Sequence, residues 1–243
     1  MGRSISPHTY FNNLGDEKDV SKLTRHDIIY YYEDGILYDK NIITLINYPA
    51  LKKSKIFEIP STIKTIKENA IEVTNDLEKI IIPKDTATIE EKSIFWNYGL
   101  KYIDVDKDNN NYMSIDGVLY SKDGKFLISY PIASERDEYT VLDTVEEIQS
   151  YSISSAKNLK KLYIKEGVKS LNYGSLYLCE NLEEVHLPKS LKKIDKYALE
   201  YNDKLKLIKY ASNKSDWDSI KVEENNTILK SNNVKIEYTI NNN

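Results

Sequence analysis

The 243 residues carry 34 Lys+Arg against 38 Asp+Glu, a formal charge of −4, with 40% hydrophobic and 30% charged residues. That is apolar material for one large folded body or two ordinary ones, and the charge is too balanced for nucleic acid or an acidic membrane as bulk partner. One cysteine excludes an internal disulfide, three histidines leave little for a zinc site, and no apolar run is long enough to span a membrane.

Met1-Gly2-Arg3-Ser4 is followed by no apolar stretch, so no secretory leader is read here, and Ser6 to Leu23 is polar and weakly patterned. Residues 1–33 are expected to form an N-terminal tail or cap. A lone cysteine suits a reducing cytosol and an oxidising exterior alike. Next, Asp34-Gly35-Ile36-Leu37-Tyr38 leads through the polar turn Asp39-Lys40-Asn41 to an apolar run ending in Tyr48-Pro49, which predicts a hairpin near 36–48. After a shift of 82 residues the succession recurs as Asp116-Gly117-Val118-Leu119-Tyr120, Lys122-Asp123-Gly124 and Leu127-Ile128-Ser129-Tyr130-Pro131. A second hairpin is predicted near 118–130, and both are expected to stand off the body as flaps. The body itself, 34–210, divides into two similar halves, 34–115 and 116–210.

A shorter period of 23 runs inside each half, linking Leu77 to Leu100, then Leu159 to Leu182 and Leu205. Five such columns hold 25 residues, all of them Ile, Leu, Val or Tyr. Each unit carries Leu-x-x-Leu-x-Leu, as in Leu159 to Ile164, and its closing alternation is that of a strand. Strands are expected to end at Ile59, Ile82, Val105, Val141, Ile164, Leu187 and Tyr210, forming one parallel sheet about 30 Å long. One unit buries about five apolar side chains, roughly 10 kcal/mol. Ordering its backbone costs several times that, so units must stack. The fold class is therefore a mostly-β repeat solenoid with two inserted hairpins and few short helical turns. Residues 211–243 close it. There Val234, Ile236, Tyr238 and Ile240 alternate with polar residues, and with Trp217 they are expected to cover the last unit and end the array.

These residues resemble the BspA-like leucine-rich repeat family. The resemblance rests on Ile59-Pro60 and Leu187-Pro188, on the turn pairs Ala70-Ile71, Ser93-Ile94 and Ala198-Leu199, and on Asn97, Cys179 and Asn202 before the strands. The Asp-Gly-Val-Leu-Tyr hairpins and the cap residues Tyr210, Trp217 and Ile220 belong to it as well. Two departures stand out: the turn pairs carry Ile or Leu where Phe is usual, and Ser212 replaces a cap glycine. The resemblance implies a secreted or cell-surface binding protein, without catalytic residues or cofactor, engaging an extracellular protein or glycan.

Among chemistry-bearing residues, Cys179 shares its column with Thr74, Asn97, Ala156 and Asn202 and reads as a packing residue, not a nucleophile. Asp104-x-Asp106-x-Asp108 departs from a calcium loop, with Asn109 and Ile115 at the sixth and twelfth places. No metal is expected. The triplets at Asn213 and Asn225 fit a glycosylation pattern that an Asn-rich chain meets by chance. The first outward column, Lys55, Glu78, Lys101, Asp137, Lys160, Glu183 and Lys206, alternates in sign, as a stabilising ladder would and a phosphate-tracking face would not. The next, Glu58, Ile81, Asp104, Thr140, Tyr163, His186 and Lys209, follows no charge rule. The candidate ligand face is accordingly Tyr102, Asp104, Tyr163, His186 and Lys209, with outward tyrosines that fit an interface and also plain β propensity. No column converges an acid, a base and a nucleophile, so no enzyme is expected. A monomeric binding module without nucleic acid or membrane insertion is the leading expectation, and a structural segment of a larger surface protein is the alternative.

Overall fold

The computed structural model describes residues 30–240, so the tail expected from residue 1, with His8 and His26, lies up to position 29 outside the described residues. From Tyr30 onward the chain winds as a β-solenoid. One 23-residue unit makes a coil with three sides. Taking the coil that starts at Lys79, the first side is the strand Lys79–Ile82, whose Ile80 and Ile82 point inward. The second is the short strand Thr88–Ile89. The third is a corner that returns the chain to the strand Tyr102–Val105.

Each corner bends through two left-handed residues four apart: Asn69 and Val73, Lys92 and Trp96, Tyr151 and Ser155, Gly174 and Leu178, Tyr197 and Tyr201, all with φ between 50° and 59°. Left-handed backbone costs a non-glycine residue about 1–2 kcal/mol. The corner withstands it because its amides bond to the next coil: Tyr151 N–H donates to Tyr173 O at 3.0 Å, Ile153 to Ser175 O at 2.9 Å and Ser155 to Tyr177 O at 2.8 Å. Below the corner, Asn side chains satisfy backbone groups that no ladder reaches. Asn202 Oδ1 accepts from Cys179 N–H at 2.8 Å, while its amide nitrogen donates to Leu176 O at 2.9 Å and Leu199 O at 2.7 Å.

The inserted hairpins are present but are not flaps. Ile36–Asp39 pairs antiparallel with Thr44–Asn47, and Val118–Ser121 with Phe126–Ser129. Each gains a preceding strand, Tyr30–Glu33 or Tyr112–Ile115, making a three-stranded meander. The meander then continues into the second side of the solenoid, since Thr44–Asn47 pairs parallel with Thr65–Ile66, and Phe126–Ser129 with Glu147–Ile148. Tyr38, Leu45, Tyr48, Tyr120, Leu127 and Tyr130 are buried, which is why neither hairpin stands free.

The single seven-stranded sheet is also corrected. The first side is two parallel sheets. One contains Ile56–Glu58, Lys79–Ile82 and Tyr102–Val105; the other contains Glu138–Thr140, Lys161–Tyr163, Glu184–Leu187, Leu207–Tyr210 and Lys235–Tyr238. The break lies at the second meander, whose Asp116-Gly117 turn takes the edge that the next strand was expected to use. Ile103 N–H donates to Gly117 O at 2.9 Å, and Ser114 Oγ donates to Ile103 O. Gly117, at φ +79°, leaves room for Tyr102, whose Cδ1 would lie 2.7 Å from any Cβ there.

Two hydrophobic cores result. The first runs from Ile36 to Ile103 and includes Leu119; the second runs from Val118 to Ile220. The strand Val118–Ser121 is their common wall, because alternation sends Leu119 to one core and Val118 and Tyr120 to the other. Among the described residues helix is confined to Lys214–Asp218 and a 3-10 turn at Thr227–Lys230. Asn213 caps the helix by accepting from Asp216 N–H at 2.9 Å. Trp217 packs edge-on against Tyr210 with centroids 5.4 Å apart, and Lys235–Tyr238 pairs in register with Leu207–Tyr210.

Candidate functional site

The sign-alternating column folds into a ladder of ion pairs. Lys55 reaches Glu78 at 2.7 Å, Lys101 reaches Glu78 at 3.6 Å, Lys160 reaches Asp137 at 3.7 Å and Lys206 reaches Glu183 at 3.7 Å. Where the sheet breaks, Lys101 turns to Glu135 at 3.3 Å. Exposed pairs of this kind are worth less than about 1 kcal/mol each.

The five candidate face residues do not form one site. Tyr102 and Asp104 lie on the last strand of the first sheet, where Tyr102 covers Gly117 and Asp104 binds Lys79 at 2.6 Å. Tyr163, His186 and Lys209 are direct neighbours across three strands of the second sheet. The Tyr163 and His186 rings meet with centroids 4.4 Å apart. Glu184 gathers this group, taking His186 Nε2 at 2.6 Å and Lys209 Nζ at 2.7 Å on one oxygen, while Tyr163 donates to Glu138 at 3.2 Å. Glu184 sits in an outward column between the two read from the sequence, so the search for a ligand face passed over the residue that organises it.

The hydrogen bond from Lys209 holds the Glu184 carboxyl below its ordinary 4.5, with His186 adding to this and partial burial opposing it. A depressed folded value means stability present above 4.5 and lost as pH falls through the folded value. Removing the partner by Lys209→Met is expected to shrink the drop in melting temperature between about pH 6 and about pH 3 relative to the parent chain, as read by circular dichroism.

Cys179 is fully buried, its thiol directed at Ile153 O at 3.2 Å and its pKa pushed up to about 12 by burial. That keeps it a protonated packing residue. The Asp104–Asp108 run is spent on structure: Asp106 Oδ1 accepts from Asp108 N–H at 2.9 Å, and the buried Asn109 braces Pro83 O and Thr86 O at 2.9 and 3.0 Å. Among the described residues no three His, Cys, Asp or Glu side chains gather as metal ligands, and no helix is long and apolar enough to cross a membrane.

The sequence reading missed a second surface, on the third side of the solenoid. Phe95 stacks on Trp96 at 4.4 Å and meets Tyr151 edge-on at 4.9 Å. Tyr151 and Tyr197 each contact both Tyr173, at 5.4 and 5.5 Å, and Tyr177, at 6.3 Å. Tyr201 extends the row from Tyr177 at 5.3 Å. Lys92 Nζ lies 5.6 Å from the centre of the Tyr151 ring, within cation–π range. Trp96, Tyr151, Tyr197 and Tyr201 all occupy left-handed positions, where Gly or Asn would be cheaper. Gly174, in the Tyr151 column, admits the Tyr151 ring to within 2.7 Å of where a Cβ would stand. Tyr173 is 38% exposed and Tyr201 51%. Burial, with the hydrogen-bonded Tyr173, pushes the Tyr151 phenol up to about 12, so that ring is uncharged near neutral pH. The signal available in sequence was spread over several columns: Tyr151 and Tyr197 are two periods apart, Phe95 and Tyr177 one shift of 82, and Trp96 and Tyr201 one shift of 82 and a period, while Tyr173 stands outside all three.

A coil of three sides, Asn-braced corners and a parallel strand every 23 residues define a leucine-rich repeat solenoid. The family model for the BspA type leucine rich repeat region matches residues 40–120 and 134–242 in 6 copies, and the chain belongs to that family. A leucine-rich repeat protein from Eubacterium ventriosum is 32% identical over 64% of this chain and 41% of its own length, with a TM-score of 0.59. The pneumococcal vaccine antigen PcpA shares the fold at 24% identity and a TM-score of 0.56, over 66% of this chain and 51% of its own. This chain thus spans about half, or less, of either protein. No curated protein matches the sequence.

Proposed function

We propose that the chain is a non-enzymatic binding module of a secreted or cell-surface protein, engaging an extracellular protein or glycan. The observation that carries this reading is the aromatic row Phe95–Tyr201 on the third side. Left-handed tyrosines and a tryptophan sit there at a backbone cost, with two of the outer rings open to solvent. Tyrosine and tryptophan offer broad, rigid, amphipathic contact area with little side-chain entropy to lose. On the sheet face, Tyr163, His186 and Lys209 are engaged with Glu138 and Glu184, which makes that face the second choice. Neither surface brings a nucleophile beside a base.

The test is a binding screen of folded protein against extracellular-matrix proteins, host-surface proteins and a glycan array near physiological salt. Saturable binding is expected, weakened at least about tenfold by Tyr173→Ala with Tyr201→Ala. The pair Tyr163→Ala with His186→Ala is expected to leave it unchanged; loss only in that pair would move the site to the sheet face. Absence of saturable binding would sink the reading in favour of a structural segment of a larger surface protein.

A further inference from the structure

The contact between the two halves has a counterpart in the first meander, which no such contact covers among the described residues. At the internal contact the second meander closes the last coil of the first half. Gly117 O accepts from Ile103 N–H, Leu119 is fully buried in the first core, and Arg136 clamps the turn by donating to Asp116 O at 2.6 Å. The first meander is built alike. Asp34 and Gly35 have φ of 49° and 83°, against 54° and 79° at Asp116 and Gly117. Its strands pair in the same register, and Lys52 clamps Asp34 O at 2.8 Å. Yet Leu37, the counterpart of Leu119, is only half-buried. A cleft of about 400 Å³ opens beside the turn, lined by Asp34, Ile36, Tyr38, Ile56, Phe57 and Glu58.

At the opposite end, Lys235–Tyr238 is an edge strand with the same alignment as Tyr102–Val105. Ile236 continues the column of Ile208, and Tyr238 that of Tyr210, as Ile103 and Val105 continue those of Ile80 and Ile82. Lys235 N–H donates to Lys206 O at 2.8 Å and Thr239 N–H to Tyr210 O at 3.1 Å. In a parallel ladder the alternate residues then point away, so Ile236 N–H faces the free edge, as Ile103 N–H faces Gly117. Around it Val234, Ile236 and Tyr238 are only partly buried.

We propose that these two ends are complementary and that the chain associates head to tail with a second copy of itself, the meander at Asp34–Tyr38 of one copy closing the Lys235–Tyr238 edge of the next. Ile236 N–H then meets Gly35 O, Leu37 gains the core it lacks, and Lys235 comes to lie over the turn beside Glu33 and Asp34, a pairing of opposite charge. The chain's own preceding residues are a poorer match. Counting back 82 from Leu100, Ile103 and Val105 gives Lys18, Ser21 and Leu23, so only one of three inward positions is apolar. The contact joins unlike surfaces, so it repeats from copy to copy, as an open row or a ring according to the rotation between copies, and stands in place of a monomer.

The test is sedimentation velocity on the 243-residue chain across a wide concentration range. A concentration-dependent rise in weight-average mass of at least about twofold is expected. Ile56→Lys alters one end and Lys235→Glu the other; both side chains are exposed, and the Lys235–Glu237 pair at 2.7 Å that the second change removes is a surface pair, so the melting curve should shift by only a few degrees. Each variant alone should remain monomeric, while an equimolar mixture should form a dimer that grows no further, since it holds one intact pair of ends. A parent chain that is monomeric at every concentration overturns the proposal. So does self-association that survives both substitutions, or a mixture that stays monomeric.

Discussion

Asn202→Leu is expected to lower unfolding stability by about 3–5 kcal/mol, read as a fall in the urea midpoint at unchanged slope. Leucine matches asparagine in heavy-atom count and branching, so lost hydrogen bonds dominate the loss, with some overpacking from its bulkier methyl groups. Three buried backbone groups depend on this one side chain: Cys179 N–H, Leu176 O and Leu199 O. Each orphaned buried group costs about 1–3 kcal/mol, and none can turn to water, because Asn202 and the corner around it are closed to solvent. Asn97 performs the same service in the first half, accepting from Thr74 Oγ1 at 2.8 Å and donating to Ile71 O at 2.8 Å. Asn97→Leu should therefore show a similar loss. A loss well under 1 kcal/mol at both sites would mean that water enters the corner.

Gly117→Val is expected to destabilise by about 2–4 kcal/mol and to split thermal unfolding into two transitions. The new Cβ would meet Tyr102 Cδ1 at 2.7 Å and Tyr102 Cα at 3.3 Å. The ring can swing away; the backbone atom cannot without moving the strand. A β-branched residue at φ +79° adds strain of its own. Displacing this turn breaks the Ile103–Gly117 bond and draws Leu119 out of the first core, which removes the main tie between the two halves. A single sharp transition at the original temperature would show that the wall strand is not what couples them.

The period was open to reading because burial demands it: Ile80, Ile103, Leu162, Val185 and Ile208 are all fully enclosed, and nothing polar can substitute in that column without losing the stack. The meanders were legible as hairpins for the same reason. Their docking was not, because the sequence displays Asp116-Gly117 as a turn and says nothing of Tyr102 waiting across from it. The interruption of the sheet follows from that one encounter between residues fifteen apart. The aromatic row was hidden for a different reason. Corner residues such as Tyr173 and Tyr177 come together through the left-handed bends, whose direction no alternation rule conveys. Glu184 escaped notice because its column mixes Lys79, Tyr102, Lys161 and Leu207, and only the fold brings Lys209 and His186 onto its carboxylate.

The 23-residue coil has a mechanical consequence. It advances the stack by one strand spacing, about 4.8 Å, yet the same residues drawn out straight reach roughly 75 Å. A terminal coil is joined to the rest through one neighbour only, so a pull along the axis peels coils singly. Each release pays out about 70 Å of slack. The common wall at Val118–Ser121 interrupts that sequence, since its side chains are anchored in cores on both sides. Under load the molecule would behave as an extensible tether with a stop at its centre.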